Sequence, residues 1–181
     1  MTIASAFMTP DHRRLIYSMT VIDNALPSTT DTTPDAGAAI VNDGFFIDIN
    51  MLAMRDAMRL DGTVTDARLR PAIVSAMLSV NRDLREWQEA QLTKGFTRLG
   101  DVPATMIDDE SRLVSLYRRA IYSTAKADLI ERYRDYDTTA TALSDKKSME
   151  WMDIAPSDQR RNAHWAIADI VGRPRMTVEL I

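Results

Sequence analysis

Between Asp66 and about Tyr136 the chain carries two long runs of helical period, separated by a segment that cannot continue either helix. In the first run Leu69, Ile73, Met77, Val80, Leu84 and Trp87 recur three or four residues apart, which places them on one face of an amphipathic helix. In the second, Leu116, Ala120, Ser123, Ala127 and Ile130 form a stripe widened by Leu113, Tyr117 and Ile121. Small residues in mid-stripe let a neighbouring helix approach closely, so this run is expected to be the central helix. The separator is Lys94-Gly-Phe-Thr-Arg-Leu-Gly-Asp-Val-Pro-Ala104. Gly95 reads as a left-handed cap, and Gly100 and Pro103 delay the next helix to Asp108. Two long helices joined by such a corner point to an all-α fold.

The remaining elements fit a helical bundle of about four main helices. Asp48 or Asn50 can cap a short helix through Arg59 that presents Met51, Leu52 and Met58, stopped by Asp61-Gly62. The first long helix starts after Thr65, with Pro71 near enough to its start to be tolerated. Three acids, Asp108, Asp109 and Glu110, stand where the second long helix is expected to begin and complement its dipole there. A weaker helical pattern over residues 144–154 is interrupted by Pro156. Ser157 and Asp158 then cap a last helix through Val171, with Ala163, Ala166, Ile167 and Ile170 inward and Gly172 closing it.

The two ends differ from the body. Residues 1–47 hold two basic and five acidic side chains, and Leu26–Gly37 is rich in Thr, Pro and Asp. This is an extended, mostly irregular N-terminal arm with apolar anchors at Ile40-Val41 and Phe45-Phe46-Ile47, or a disordered tail. Residues 48–172 form the expected helical domain. Residues 173–181 form a C-terminal tail in which Met176–Ile181 alternates like a short strand. With no partner strand in a helical chain, that segment suits strand addition to another protein.

Composition removes several function classes. The chain has no cysteine, so disulfide frameworks and thiol chemistry are excluded. No apolar stretch approaches the roughly 20 residues that span a bilayer, and the first residues lack the pattern of a secretory leader. A soluble protein without membrane contact is expected. Its net charge of −4 includes a body that is nearly neutral yet rich in both signs, which argues against a generic nucleic-acid binder. His12 and His164 are far apart in sequence, no serine sits in a nucleophile elbow, and no glycine-rich phosphate loop occurs. Adjacent acids on a helix diverge, so Asp108, Asp109 and Glu110 do not read as a metal site. No catalytic, cofactor-binding or metal-ligating residue is assigned, and no cofactor is expected.

Protein contacts are the better use for the basic pairs Arg118-Arg119, Arg132/Arg134, Arg160-Arg161 and Arg173/Arg175, although phosphates of DNA remain open to them. Trp87 and Trp165 read as core residues, and Trp151 as an interface aromatic. Phe96 is expected to be buried and Arg98 to be paired with protein.

An ordered series of short motifs carries a resemblance. Met58-Arg-Leu, Thr63-Val, Arg68-Leu-Arg70, Gly95–Ala104, Ile107–Ser111 and Tyr117-Arg-Arg-Ala120 are followed by Glu131–Arg134, Asp145-Lys-Lys147, Trp165–Ala168 and Gly172-Arg-Pro-Arg175. Over roughly residues 45–181 the chain resembles the head completion (head stabilisation) proteins, the GPL family, of temperate contractile-tailed phages of the peduovirus type. Pro156 and residues 1–47 depart from the family pattern. The resemblance implies a non-enzymatic virion protein, a head–tail connector adaptor that is assembled in the host cytoplasm and resides in the neck. It implies a homo-oligomeric ring of about twelve copies beneath the portal protein, stabilising the filled head. The tail terminator or another neck protein would dock below, and genomic double-stranded DNA would pass through. On that basis Arg173, Arg175, Met176, Val178, Leu180 and Ile181 are expected at the portal. Phe96, Arg98, Leu99, Arg132, Arg134 and Trp151 are expected between subunits. The alternative is a DNA-binding packaging accessory of the small terminase type, which would need a basic recognition helix.

Overall fold

The structure, a computed structural model, describes residues 38–137 and 155–175, with side chains described as far as Tyr133 in the helix that ends at Asp137. The chain is mainly helical, with two short antiparallel ladders. In chain order the elements are β1 (Ala39–Ile40), β2 (Ile49–Asn50), α1 (Met51–Ala57), α2 (Asp66–Asp83) and α3 (Arg85–Thr93), then a 3₁₀ turn (Leu99–Asp101). They continue with β3 (Met106–Ile107), β4 (Glu110–Ser111), α4 (Arg112–Asp137) and α5 (Pro156–Val171).

Helix α4 is the centre. Tyr117, Ala120, Ile121, Ala125, Ala127, Leu129 and Ile130 are buried around most of its circumference. Helix α2 packs antiparallel to it. Near the C-terminal end of α2, Asn81 meets Tyr117, whereas Thr63, just before α2, accepts a hydrogen bond from the Tyr133 hydroxyl. Helix α5 also runs antiparallel to α4. Arg160 at its start pairs with Asp128 and Glu131, and Asp169 near its end lies in the field of Arg112 and Arg119. The expected stripe of α2 is buried from Leu69 to Leu84, and Ala163, Ala166 and Ile170 point inward from α5.

Several expectations need correction. The first long helix is not continuous: α2 stops at Asp83, and Leu84 (φ −96°, ψ 0°) turns the chain into α3. Leu84 itself remains buried, so the hydrophobic period runs through a break that periodicity cannot register. Pro71 sits inside α2 without displacing its start. Asn50 caps α1, accepting from the Leu52 and Ala53 amides at 2.8 and 3.0 Å. Leu52 then faces solvent, and Met51 and Met54 face the core. The three acids do not cap α4. Asp108 and Asp109 are the two turn residues of the β3–β4 hairpin, both left-handed (φ 52° and 57°), and α4 begins only at Arg112. A two-residue hairpin turn of type I′ needs positive φ at both central positions, and aspartate tolerates it. Pro156 is the first residue of α5, after Ala155 in an extended conformation. Residues 144–154 and 176–181 lie outside the described residues. Gly95 (φ 92°) and Gly172 (φ 77°) end their helices in the left-handed region, as the sequence suggested.

The anchors of the arm belong to this same core. Ile40, Phe45 and Phe46 are buried, β1 pairs with β2, and the Phe45 carbonyl accepts from the Leu99 amide at 2.8 Å. Ile40, Phe45 and Phe46 are therefore met by the chain itself and Ile47 is partly buried against the same core, whereas Val41 is 78% exposed.

Candidate interaction surface

A buried polar hub fixes the segment that enters the core. The Tyr117 side chain is fully buried, and its hydroxyl donates to Asn81 Oδ1 at 2.6 Å and accepts from Asn42 Nδ2 at 2.8 Å. Asn81 Nδ2 closes the triangle onto Asn42 Oδ1 at 2.9 Å, and Asn42 Nδ2 also reaches the Ile47 carbonyl. Phe46 stacks on the Tyr117 ring at 4.6 Å, nearly parallel. Burial pushes the Tyr117 hydroxyl well above the usual tyrosine range, so it stays neutral. The hub joins three elements and presents nothing to a substrate, so its role is structural.

Two outward surfaces among the described residues group exposed apolar side chains together, apart from the isolated Val41, Leu52 and Leu92. The first is the solvent side of α2, where Ala67, Pro71, Val74 and Leu78 recur four, three and four residues apart and are all exposed. Leu78 is 70% exposed. Arg70 and Arg82, both exposed, flank this ridge. The second is the β3–β4 hairpin, where Met106 and Ile107 are 59% and 65% exposed just before the acidic turn Asp108-Asp109. The hairpin is held to α4 by Glu110, which takes two bonds from Arg118 (2.7 and 2.9 Å) and one from the Ser115 hydroxyl (2.6 Å). The Arg118 bond, helped by Ser115, holds the Glu110 carboxyl below its usual range. Between hairpin and helix lies an open groove of about 620 Å³, with Ile107, Arg112, Leu116 and Arg119 on its walls.

The residues singled out from sequence fall into different roles. Leu99 is fully buried in the chain's own core, which excludes direct contact with a neighbouring subunit in this conformation. Phe96 is half-buried against that core. Arg98 is exposed and has no ion pair among the described residues. Arg132 is exposed beside a cavity of about 250 Å³ that Arg68, Pro71 and Tyr133 also line. Arg173 is exposed at another cavity, with Glu86, Trp87 and His164. His164 is exposed. Arg175 pairs with Asp169 and lies over the Trp165 ring, 5.4 Å from its centroid. The side chains of Arg134 and Trp151, and Met176, Val178, Leu180 and Ile181, lie outside the described residues.

Four of the eight arginines in the basic pairs are engaged by carboxylates of the chain. Besides Arg118 and Arg175, Arg160 pairs with Glu131 and Asp128, and Arg161 with Asp158 at 2.8 Å. Those four guanidiniums are therefore less available to phosphates or to a neighbouring copy than the sequence suggested. Val74, Leu78, Met106 and Ile107 were missed. The sequence carried only a weak signal: Val74 and Leu78 are four apart and off the core stripe, and the acids after Met106-Ile107 suit a helix start as well as a turn. Among the described residues no cluster of three or more His, Asp or Glu side chains could hold a metal ion, and no helix is long and apolar enough to cross a membrane.

The family model for phage head completion protein (GPL) matches residues 40–181. The chain belongs to this family of phage head completion proteins. The head completion/stabilization protein of Escherichia phage P2 is 46% identical over 142 residues, covering 78% of this chain and 82% of that relative. The probable head completion/stabilization protein of Haemophilus phage HP1 (strain HP1c1) is 24% identical over 115 residues, 58% of this chain and 77% of the relative. No solved structure matches. Membership assigns a structural head-completion role in the phage particle. The family match begins at Ile40, a buried residue of β1.

Proposed function

We propose that this head completion protein is a neck adaptor that closes into a ring of about twelve copies under the portal. The ring seals the DNA-filled head and gives the tail terminator or another neck protein its platform. Assembly takes place in the host cytoplasm. The observation that carries the reading is the pair of separate exposed apolar surfaces, the α2 ridge and the β3–β4 hairpin. A ring needs two different, mutually complementary faces on each subunit, whereas a two-fold dimer needs one. Arg98 and Arg132, both exposed, belong to the faces between subunits, and Arg134 and Trp151 extend them. Residues from Arg173 onward contact the portal, with the Arg175–Asp169 pair fixing the direction in which the tail leaves α5. A net-acidic chain lining a channel lets DNA pass without a strong cationic trap. The packaging-accessory alternative gains no support, because four arginines are already engaged by carboxylates of the same chain.

The test is complementation of phage that lack this protein. A chain without residues 176–181 should melt like the parent in isolation, yet lower the yield of tailed, DNA-retaining particles at least tenfold. Truncated protein that still gives filled heads bearing tails would remove the portal assignment. Images of the isolated neck, counted for copies of the chain, test the ring independently.

A further inference from the structure

Resting on the ring reading, we propose that the β3–β4 hairpin of one subunit docks across the α2 ridge of the next copy. The match is both apolar and electrostatic. The hairpin brings Met106 and Ile107, 59% and 65% exposed, and behind them two exposed carboxylates, Asp108 and Asp109. The ridge offers Val74 and Leu78, with Arg70 one turn before Val74 and Arg82 one turn after Leu78. Among the described residues Arg82 is engaged by an exposed pairing with Asp83 at 3.5 Å and a 3.3 Å contact with Ser79. Such a pairing is weak and easily exchanged.

The signs of the charges select the geometry. A symmetric contact of hairpin on hairpin would bring four carboxylates together, and ridge on ridge would crowd four guanidiniums. Head-to-tail docking puts acid on base and apolar on apolar, so like-on-like dimers are disfavoured and each subunit keeps one free face of each kind. That is the arrangement that propagates until it closes. The hairpin suits the donor role because Glu110 ties it to α4 through Arg118 and Ser115, so its tip is presented in a fixed direction.

Because the chain has no cysteine of its own, engineered pairs read the contact directly. Ile107→Cys and Leu78→Cys are introduced singly and together into protein supplied to phage that lack it, and oxidised particles are run on non-reducing gels. Both positions are exposed, and melting of each purified variant controls for folding. The expected result is monomer from each single variant and a ladder of covalent multimers from the double variant. A double variant that stays monomeric in necks whose images still show a ring overturns this interface and leaves the ring intact. Necks holding a single copy would overturn the ring reading and the interface with it. A second variant tests the charges: Asp108→Asn with Asp109→Asn keeps a turn that asparagine tolerates. It should slow cross-linking of the double-cysteine protein at least threefold, and an unchanged rate refutes the electrostatic half of the pairing.

Discussion

Replacing Tyr117 by phenylalanine tests whether the buried hub holds the entry segment to the helices. The substitution keeps the ring, and with it the stacking on Phe46 at 4.6 Å, so no cavity opens. What disappears is one hydroxyl, its donated bond to Asn81 Oδ1 (2.6 Å) and its accepted bond from Asn42 Nδ2 (2.8 Å). Asn42 and Asn81 keep their 2.9 Å bond to each other, so the loss is confined to those two interactions. Each is worth about 1 kcal/mol net, with a further cost if a partner is left unsatisfied. The expected destabilisation is about 2 kcal/mol, which for a domain of this size lowers Tm by about 6 °C. Urea unfolding followed by circular dichroism measures it. A double-mutant cycle with Asn81→Ala should return a coupling of about 1 kcal/mol. A loss below about 0.5 kcal/mol, or strict additivity in the cycle, would show that the hydroxyl is not part of the framework.

Four further outcomes are expected. Leu99→Ala should cost about 3 kcal/mol as a core truncation, whereas Phe96→Ala, half-buried, should cost less; equal costs in urea unfolding would contradict the roles assigned to them. Gly95→Ala forces a Cβ into φ 92° and should destabilise by about 1–2 kcal/mol, read as a lower Tm. Glu110 has its carboxyl pKa lowered, so its bonds stabilise the fold above about pH 4.3 and that contribution is lost as the pH falls through the lowered folded value. Glu110→Gln should remove this acid-side slope, worth less than about 1 kcal/mol because the pair is partly exposed. Asp128 is shifted the other way by burial, and the difference between parent and variant isolates Glu110. At the alkaline end, burial raises both Tyr117 and Tyr122. Their neutral forms belong to the fold, so their contribution holds below about pH 10 and falls above it. The Tyr117→Phe protein should lose stability less steeply there than the parent, as thermal melts across that range would show.

How much of this was legible in the sequence depended on whether one face or two had to be read. The core stripe of α2 could be traced because a buried face imposes a single period, and Leu69 to Leu84 obey it. Val74 and Leu78 occupy the opposite face, where periodicity says only that a residue is not core, so their exposure required the packed structure. The corner at Lys94–Ala104 was readable because Gly95 must adopt a conformation that most residues avoid. The acids at 108–110 were misread because a helix start and a two-residue turn both favour aspartate; what separates them is whether the preceding Met-Ile pairs with Glu-Ser, a tertiary fact.

Lys126 shows the same limit inside the core. It interrupts the apolar surroundings of α4, and nothing local reveals why a lysine belongs there. In the fold it is only 4% exposed, and its ammonium donates to the Met58 carbonyl at 3.0 Å, where α1 ends. A cation at a helix C-terminus is favourable, yet burial, with Arg59 nearby, lowers the Lys126 pKa. The site thus trades solvation for a fixed bond between α4 and the end of α1. Lys126→Met tests which side prevails: it removes the desolvated charge but leaves the Met58 carbonyl without that donor. If the bond serves to position α1, the variant should unfold in urea with loss of stability; a gain would mean that the buried charge costs more than the bond contributes.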